Sequence, residues 1–282
     1  MLLVTGATGT VGRPLVDALI DAGVKVRAVS RNPLAAAMPA GVDVAEGDPS
    51  RPHSIAAALH GVTTVFLNPA ALGGSAGELL ALARERGVRR VVLLSALAVE
   101  AQAQPPNLIA THHRAVEDAL LASDLDWVIL RPGMFAANTL LQWAAQIRAG
   151  NIVRGPFASS TDAPIHESDL AAVAARALLD DERSGQRILL TGPQSLTREQ
   201  MVATIGQVIG RPLRYQEIPA EAAKRNMVAH GMPEQMVDTM LSLWAAGAGH
   251  PAAVETGVQS VLGRRPRSYA EWVADHAAAF TG

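Results

Sequence analysis

The chain has no cysteine among its 282 residues, so disulfides, thiolate nucleophiles and cysteine-based metal sites are excluded. It has no excess of positive charge either. The formal net charge is -2, which offers nucleic acid no basic field and removes that class of partner. No apolar run is long enough to span a bilayer, so no membrane partner is expected. With the first strand opening at Met1, no signal peptide is expected and the expected setting is cytoplasmic. Aromatic residues make up only 4%, with two tyrosines and two lysines, a scarcity that limits which acids the chain can use. No internal repeat or low-complexity tract is evident. What remains is 49% hydrophobic and 18% charged, which excludes disorder and allows a large core.

The most informative segment is Thr5-Gly6-Ala7-Thr8-Gly9-Thr10-Val11-Gly12. Before it, Met1-Leu2-Leu3-Val4 is continuous and apolar, as a buried parallel strand should be. After it, Leu15, Ala18, Leu19 and Ala22 form a helical stripe that ends at Gly23. A strand, a glycine turn and a helix in this order aim a helix N-terminus and bare backbone amides at one spot. The dipole there favours a phosphate. The spacing is Gly6-x-x-Gly9-x-x-Gly12, not the commoner G-x-G-x-x-G. A glycine triplet alone is an ordinary tight turn; the flanking elements favour a dinucleotide site built from Gly6, Thr8, Gly9, Thr10, Val11 and Gly12.

Further strands are expected at 24–30, 42–44, 65–67, 91–95 and 127–130, with a helix capped by Ser54 and others over 75–87 and up to Ser123. A polar loop is expected from Gln102 to Asn107. This alternation implies an α/β fold, a doubly wound and mainly parallel Rossmann sheet with a smaller C-terminal α/β substrate lobe. The expected domains are residues 1–150 and 151–282, the second packed as one unit with the first. Within the second, Gly150 to Pro164 reads as loop, Asp169 as a cap for a helix through Leu179, and 187–191 as a strand. Helices are expected over 198–209, 234–246 and 269–280.

Arg31 ends the second strand, where such folds read the adenosine ribose. An arginine fork there suits a 2′-phosphate, so NADP (NADPH) is the expected cofactor, with NAD the other option. Asp48 is placed to meet the adenine amino group or to cap its own turn. Asn68-Pro69, Ser95 and Pro132 close later strands and complete the expected cofactor-binding set.

The chain resembles the NmrA-like, atypical short-chain dehydrogenase/reductase proteins. Thr5–Gly12 matches their opening motif, Val26–Pro33 the strand that reads the phosphate, and Leu130–Asn138 the signature after the sixth strand. Ile188–Pro193, Leu196-Thr197 and Tyr269–Trp272 are similar to their later blocks. The resemblance implies an NAD(P)H-dependent oxidoreductase. Short-chain reductases usually protonate through a tyrosine with a lysine four residues later, and here Tyr215 is followed at that spacing by Pro219 and Tyr269 by Val273. Aligning Ser95 and Glu117 with the family places Ile109 at the tyrosine position and His113 at the lysine position.

Ser95 and His113 are therefore the candidate catalytic residues, as proton donors or as groups that orient a substrate oxygen. Histidine near its ordinary pKa shuttles protons at neutral pH; the other reading of His112 and His113 is one solvated histidine and one fixed against the core. His166 either reaches the cleft or orders its turn. No spacing supplies metal ligands. Met134, Phe135, Asn138, Trp143, Met236 and Met240 suggest a pocket for a small apolar or aromatic substrate, methionine being adaptable to flat ligands. The leading expectation is NADPH-dependent reduction of a quinone or activated aromatic ketone without the usual pair. The alternatives are a non-catalytic redox-sensing regulator and a reductase that supports oxygenation of an aromatic substrate with an oxygenase partner protein. Oligomeric state is not legible.

Overall fold

The computed structural model describes residues 1–100 and 107–282. The chain runs β1 (Leu2–Val4), α1 (Gly12–Asp21), β2 (Val26–Ser30), β3 (Asp43–Glu46), β4 (Thr64–Leu67), α2 (Ala76–Glu85), β5 (Arg90–Leu94), α3 (Leu108–Leu121) and β6 (Asp126–Pro132). It continues through α4 (Ala145–Ala149), β7 (Ile152–Gly155), β8 (Thr161–Asp162), α5 (Glu167–Leu179), β9 (Gln186–Leu190), β10 (Leu196–Thr197) and α6 (Arg198–Val208). The last elements are β11 (Arg214–Glu217), α7 (Ala220–Ala229), α8 (Glu234–Gly247), α9 (Gly257–Leu262), α10 (Tyr269–Asp275) and α11 (Ala277–Thr281).

Two compact units result. The first contains Met1–Pro132, Glu167–Leu190 and Gly257–Gly263; the second contains Gly133–His166, Thr191–Thr256 and Arg264–Gly282. The expected boundary at residue 150 thus falls inside the second unit. The chain returns to the first because β9 adds to the sheet beside β6, pairing Leu130 with Ile188.

The first unit is a seven-stranded sheet in the order β3-β2-β1-β4-β5-β6-β9, with every pairing parallel. This is the expected doubly wound α/β fold. Its central strands are near-continuous apolar runs because helices cover both faces, and Leu3, Val4, Phe66, Val91, Val92 and Leu93 are fully buried. Strand order reverses between β1 and β4, the position where open sheets of this kind take ligands. On α1 the buried stripe is Gly12, Leu15, Val16 and Leu19, so the helix turns Val16 inward where Ala22 was expected. Gly23 ends it at φ 73°.

Several local expectations are corrected. No helix runs from Ser54 to Leu59; a 3₁₀ turn covers Pro52–Ile55, and the Ser54 hydroxyl bridges back to Asp48, accepting from its N–H and donating to its carbonyl. Side-chain bonding has replaced the helix start. The Gln102-to-Asn107 loop lies outside the described residues apart from Asn107, whose side chain caps α3 by accepting from Ile109 and Ala110.

In the second unit, the segment read as loop holds β7 and β8. Strand β7 pairs in parallel with β11, Ile152 opposite Arg214, a partner too distant in sequence to announce itself. Asp169 sits in the first turn of α5 rather than before it. The single helix expected over 269–280 breaks at His276, where φ is −116°. Helix α6 opens with a complete capping box between Thr197 and Gln200. Its core gathers Trp143, Ile147, Met201, Ile205, Trp272 and Phe280. Among the described residues, no helix is long and apolar enough to cross a membrane.

Candidate active and cofactor-binding site

The glycine turn follows β1 at the point of strand reversal. Thr5, fully buried, ties the turn down: its hydroxyl donates to the Phe66 carbonyl at 3.0 Å and accepts from the Asn68 N–H at 2.8 Å. Gly6 has φ +65°, and a Cβ on it would lie 2.6 Å from the Asn68 amide nitrogen. Gly9 donates to the Gly6 carbonyl at 3.0 Å. At Gly12 a Cβ would stand 2.1 Å from that same carbonyl oxygen, so only glycine lets α1 start this close to the strand.

Helix α1 begins without a side-chain cap and without an acidic residue in its first turn. Among the described residues, the amides of Thr10, Val11 and Gly12 have no protein acceptor. Unpaired donors at a helix start, a cradle that a Cβ would fill and no competing carboxylate are what a dinucleotide pyrophosphate requires. Thr8, Gly9 and Thr10 are exposed, whereas Val11 buries its side chain and offers only backbone.

Beside the turn, Arg31, Glu46, Gly47, Asp48, Arg51 and Ser54 line an open groove of ≈ 360 Å³. Arg31 is exposed, and the loop after it is bolted to α1 by Arg13, which donates to the carbonyls of Ala36 at 2.6 Å and Ala37 at 2.9 Å. Asp48 caps its own turn. Its Oδ1 accepts from the hydroxyl of Ser50 at 2.7 Å and from its N–H at 3.0 Å. Those bonds, with Arg51 and Arg31 nearby, hold its carboxyl below the ordinary range.

At the ends of β5 and β6 a buried polar cluster forms. Ser95 is 2% exposed and its hydroxyl donates to Glu117 Oε1. Glu117, on the inward face of α3, also accepts from Arg131, Nε to Oε1 at 3.0 Å and Nη2 to Oε2. Arg131 Nη1 reaches on to Glu100. Burial pushes the Glu117 carboxyl up, but the hydrogen bonds from Arg131 and Ser95 outweigh it and hold it below the usual carboxylate range. Arg131 is correspondingly raised by Glu117.

His113 is half-buried, and its Nδ1 has no partner among the described residues. Burial, then the neighbouring His112, push its pKa down to about 4, against a smaller upward pull from Glu117. Near neutral pH it is an uncharged imidazole, not the poised proton shuttle expected from its ordinary value. Glu117 and Arg131 were missed as site residues. The readable signal was a carboxylate one turn from Leu120 on an apolar helix face, which needs a buried cation.

The model of a family described as NAD(P)H-binding matches residues 6–181, more than half of the chain. Over 284 residues, the chain is 35% identical to a (4-alkanoyl-5-oxo-2,5-dihydrofuran-3-yl)methyl phosphate reductase of Streptomyces griseus, covering 99% of both proteins. It is 33% identical to an NAD(P)H azoreductase of Xenophilus azovorans, again with 99% of each covered. The chain belongs to the NAD(P)H-binding family. It is an NAD(P)H-dependent oxidoreductase of the NmrA-like, atypical short-chain dehydrogenase/reductase type. Its fold matches a crystal structure of an Escherichia coli NADPH-dependent quinone oxidoreductase complexed with NADPH, at TM-score 0.84 and 22% identity, covering 98% of this chain and 100% of that one.

The residues expected to form a substrate pocket in this oxidoreductase lie in the second unit and fare unequally. Trp143 is 2% exposed. It packs in the core, with the Arg198 guanidinium 5.3 Å over its ring and Tyr215 edge-on at 6.3 Å. It is a core residue, not a pocket wall. Met134 and Phe135 are half-buried and Asn138 is exposed. Met236 and Met240 are half-buried on α8, of which only Val237 is buried. His166 Nε2 lies 3.2 Å from Asp275 Oδ2, an anchor to α10.

Both tyrosines are engaged in this unit. Tyr215 donates to the Pro156 carbonyl at 2.8 Å, and Tyr269 to Thr139 at 2.9 Å. Burial raises both phenols. Among the described residues, no group of three or more His, Asp or Glu side chains could hold a metal.

Proposed function

We propose that this oxidoreductase uses NADPH to reduce a quinone or a similarly activated aromatic acceptor. The observation that carries the reading is the state of the candidate proton donors Tyr215, Tyr269, His113 and Ser95, none of which is poised to give a proton near neutrality. Tyr215 and Tyr269 are raised, His113 is lowered to about 4, and the Ser95 proton is held by Glu117. An unactivated ketone needs a protein acid to receive the developing alkoxide. A quinone does not, because its reduced oxygen is a stabilised phenolate that takes a proton from water. The relatives' names, azoreductase and quinone oxidoreductase among them, describe acceptors of this electrophilic kind.

The free amides of Thr10, Val11 and Gly12 and the α1 N-terminus would hold the pyrophosphate, and Arg31 the 2′-phosphate. Asn68, Pro69, Ser95 and Pro132 would edge the same site. The bound dinucleotide supplies the acceptor with two electrons and one hydrogen. The protein's part is then positioning and exclusion of water. Within the second unit, taken by itself, Met134, Phe135, Met236 and Met240 are the side chains we propose for an apolar ligand, methionine being adaptable to flat rings.

Loss of NADPH absorbance across a panel of quinones, azo dyes and aromatic ketones tests the reading. Turnover of quinones or azo dyes, with simple ketones inert, is expected. Tight NADPH binding with no turnover of any of them would sink the proposal and favour a redox-sensing regulator. Oxygen consumption coupled to a partner protein would favour support of an oxygenase.

A further inference from the structure

We propose that Glu117 is a positioning residue: clamped by Arg131, it takes the Ser95 hydroxyl proton, so that Ser95 meets a ligand only as a hydrogen-bond acceptor. The inference rests on the reading of the first unit as the NADPH site. An ionised carboxylate accepts and cannot donate, and a serine hydroxyl has one proton and two lone pairs. Glu117 Oε1 accepts from Ser95 and from Arg131 Nε at 3.0 Å, while Oε2 accepts from Arg131 Nη2. With Glu117 held ionised at 3% exposure, the single Ser95 proton has one place to go. The Ser95 oxygen turns only lone pairs to whatever else approaches.

This has a chemical consequence at the end of β5. A quinone or ketone oxygen placed against Ser95 would meet lone pairs and be repelled, so Ser95 does not polarise the reducible carbonyl. The group it selects is a donor, an O–H or an amide N–H. Two ligands could present one: the dinucleotide, through a ribose hydroxyl or its carboxamide, or an acceptor carrying a ring hydroxyl. The buried Arg131, itself braced by Glu100, is what keeps Glu117 charged. Breaking half the pair would leave a lone buried charge, whereas replacing both with apolar residues avoids that penalty.

The test compares full-length Ser95→Ala, the clamp-free pair Glu117→Leu with Arg131→Met, and all three changes together. Each is measured for the Kd of NADPH, and for kcat and KM with a naphthoquinone carrying a ring hydroxyl and with its unsubstituted parent. Ser95→Ala is expected to weaken one ligand about five-fold, the ratio set by one ordinary hydrogen bond. If the donor is on the dinucleotide, the loss appears in the NADPH Kd. If it is on the acceptor, it appears in the KM of the hydroxyquinone alone, with kcat unchanged.

The clamp-free pair should lose roughly three- to five-fold on the same ligand, and adding Ser95→Ala to it should cost less than about two-fold more. Effects that simply multiply overturn the role of Glu117, and a Ser95→Ala protein unchanged toward all ligands overturns the acceptor role. Should the clamp-free chain fail to melt cooperatively, Ser95→Cys decides. Its thiol still gives a proton to Glu117 but is a poor acceptor, so it must reproduce the Ser95→Ala loss; wild-type constants there overturn the proposal. A wild-type chain that binds no NADPH would instead sink the cofactor reading, a separate and visible outcome.

Discussion

Replacing Gly12 by alanine tests the glycine turn at its tightest point. The added Cβ would lie 2.1 Å from the Gly6 oxygen and 2.7 Å from Ala7 Cα, against an ordinary contact of about 3.5 Å. Both obstacles are backbone, so no side chain can swing aside and the turn or α1 must shift by about an ångström. Overpacking of this kind costs about 1–3 kcal/mol, and the upper end applies because the clash is with main chain. In a unit of this size that is a fall in Tm of roughly 5–10 °C.

On the proposed placement of the pyrophosphate, the shift also moves the amides of Thr10, Val11 and Gly12 off it. Losing one charge-assisted hydrogen bond, about 1.5–3 kcal/mol, weakens NADPH binding roughly 10- to 150-fold. Gly23→Ala is the control. It also forces a side chain into the left-handed region, at φ +73°, but has nothing within 4 Å. It should lose about 1–2 kcal/mol of stability and bind NADPH normally. Fluorescence titration with NADPH alongside thermal melts reads both quantities. A folded Gly12→Ala protein with wild-type NADPH affinity would refute the placement of the pyrophosphate.

Arg31→Ala should raise the Kd for NADPH by roughly 10- to 100-fold, the loss of a charge-assisted contact, and leave NADH unchanged; equal losses on both would show that Arg31 does not read the 2′-phosphate. Because burial puts His113 near 4 in the folded chain against about 6.5 when free, the unfolded chain binds the proton first. This contribution to stability is whole above pH 6.5 and declines as pH falls toward 4. A His113→Leu protein should therefore lose less of its urea midpoint between those limits than wild type, and identical slopes would contradict the shift. Trp143→Ala should cost about 3–5 kcal/mol in urea unfolding, whereas the KM of a still-folded Trp143→Phe protein should be unchanged; a raised KM there would return Trp143 to the ligand surface.

The reach of the sequence follows from the range of the interactions involved. The turn was legible because its signature lies between Leu2 and Gly23, a buried strand, glycines and an apolar helix face; its tie through Thr5 to Phe66 and Asn68 was not. The sheet was legible for a like reason, since its central strands announce themselves as apolar runs bounded by turn residues. What depended on distant partners was not. Strand β7 needs β11, about sixty residues on, and β7 alone shows only the apolar Ile152 and Val153. The aromatic ring of Trp143 carries no mark that distinguishes a pocket wall from a core residue. That difference is made by Arg198 and Tyr215 closing over it.

The chemistry, too, depends on distant partners. Ser95 and His113 were singled out by position, but the properties that decide what they can do are set from outside their own segments. Which way the Ser95 proton points is fixed by Glu117, twenty-two residues on, whose carboxyl is held below its usual range by hydrogen bonds from Arg131 and from Ser95 itself. His113 loses its value as a shuttle through burial and through His112. A side chain's identity names the proton it carries; its partners decide whether that proton can be given. Here they withhold it at Ser95 and His113, which supports the proposed acceptor, one that needs no protein acid. Turnover of an unactivated aromatic ketone at a rate matching quinones would break that chain of reasoning at its first link.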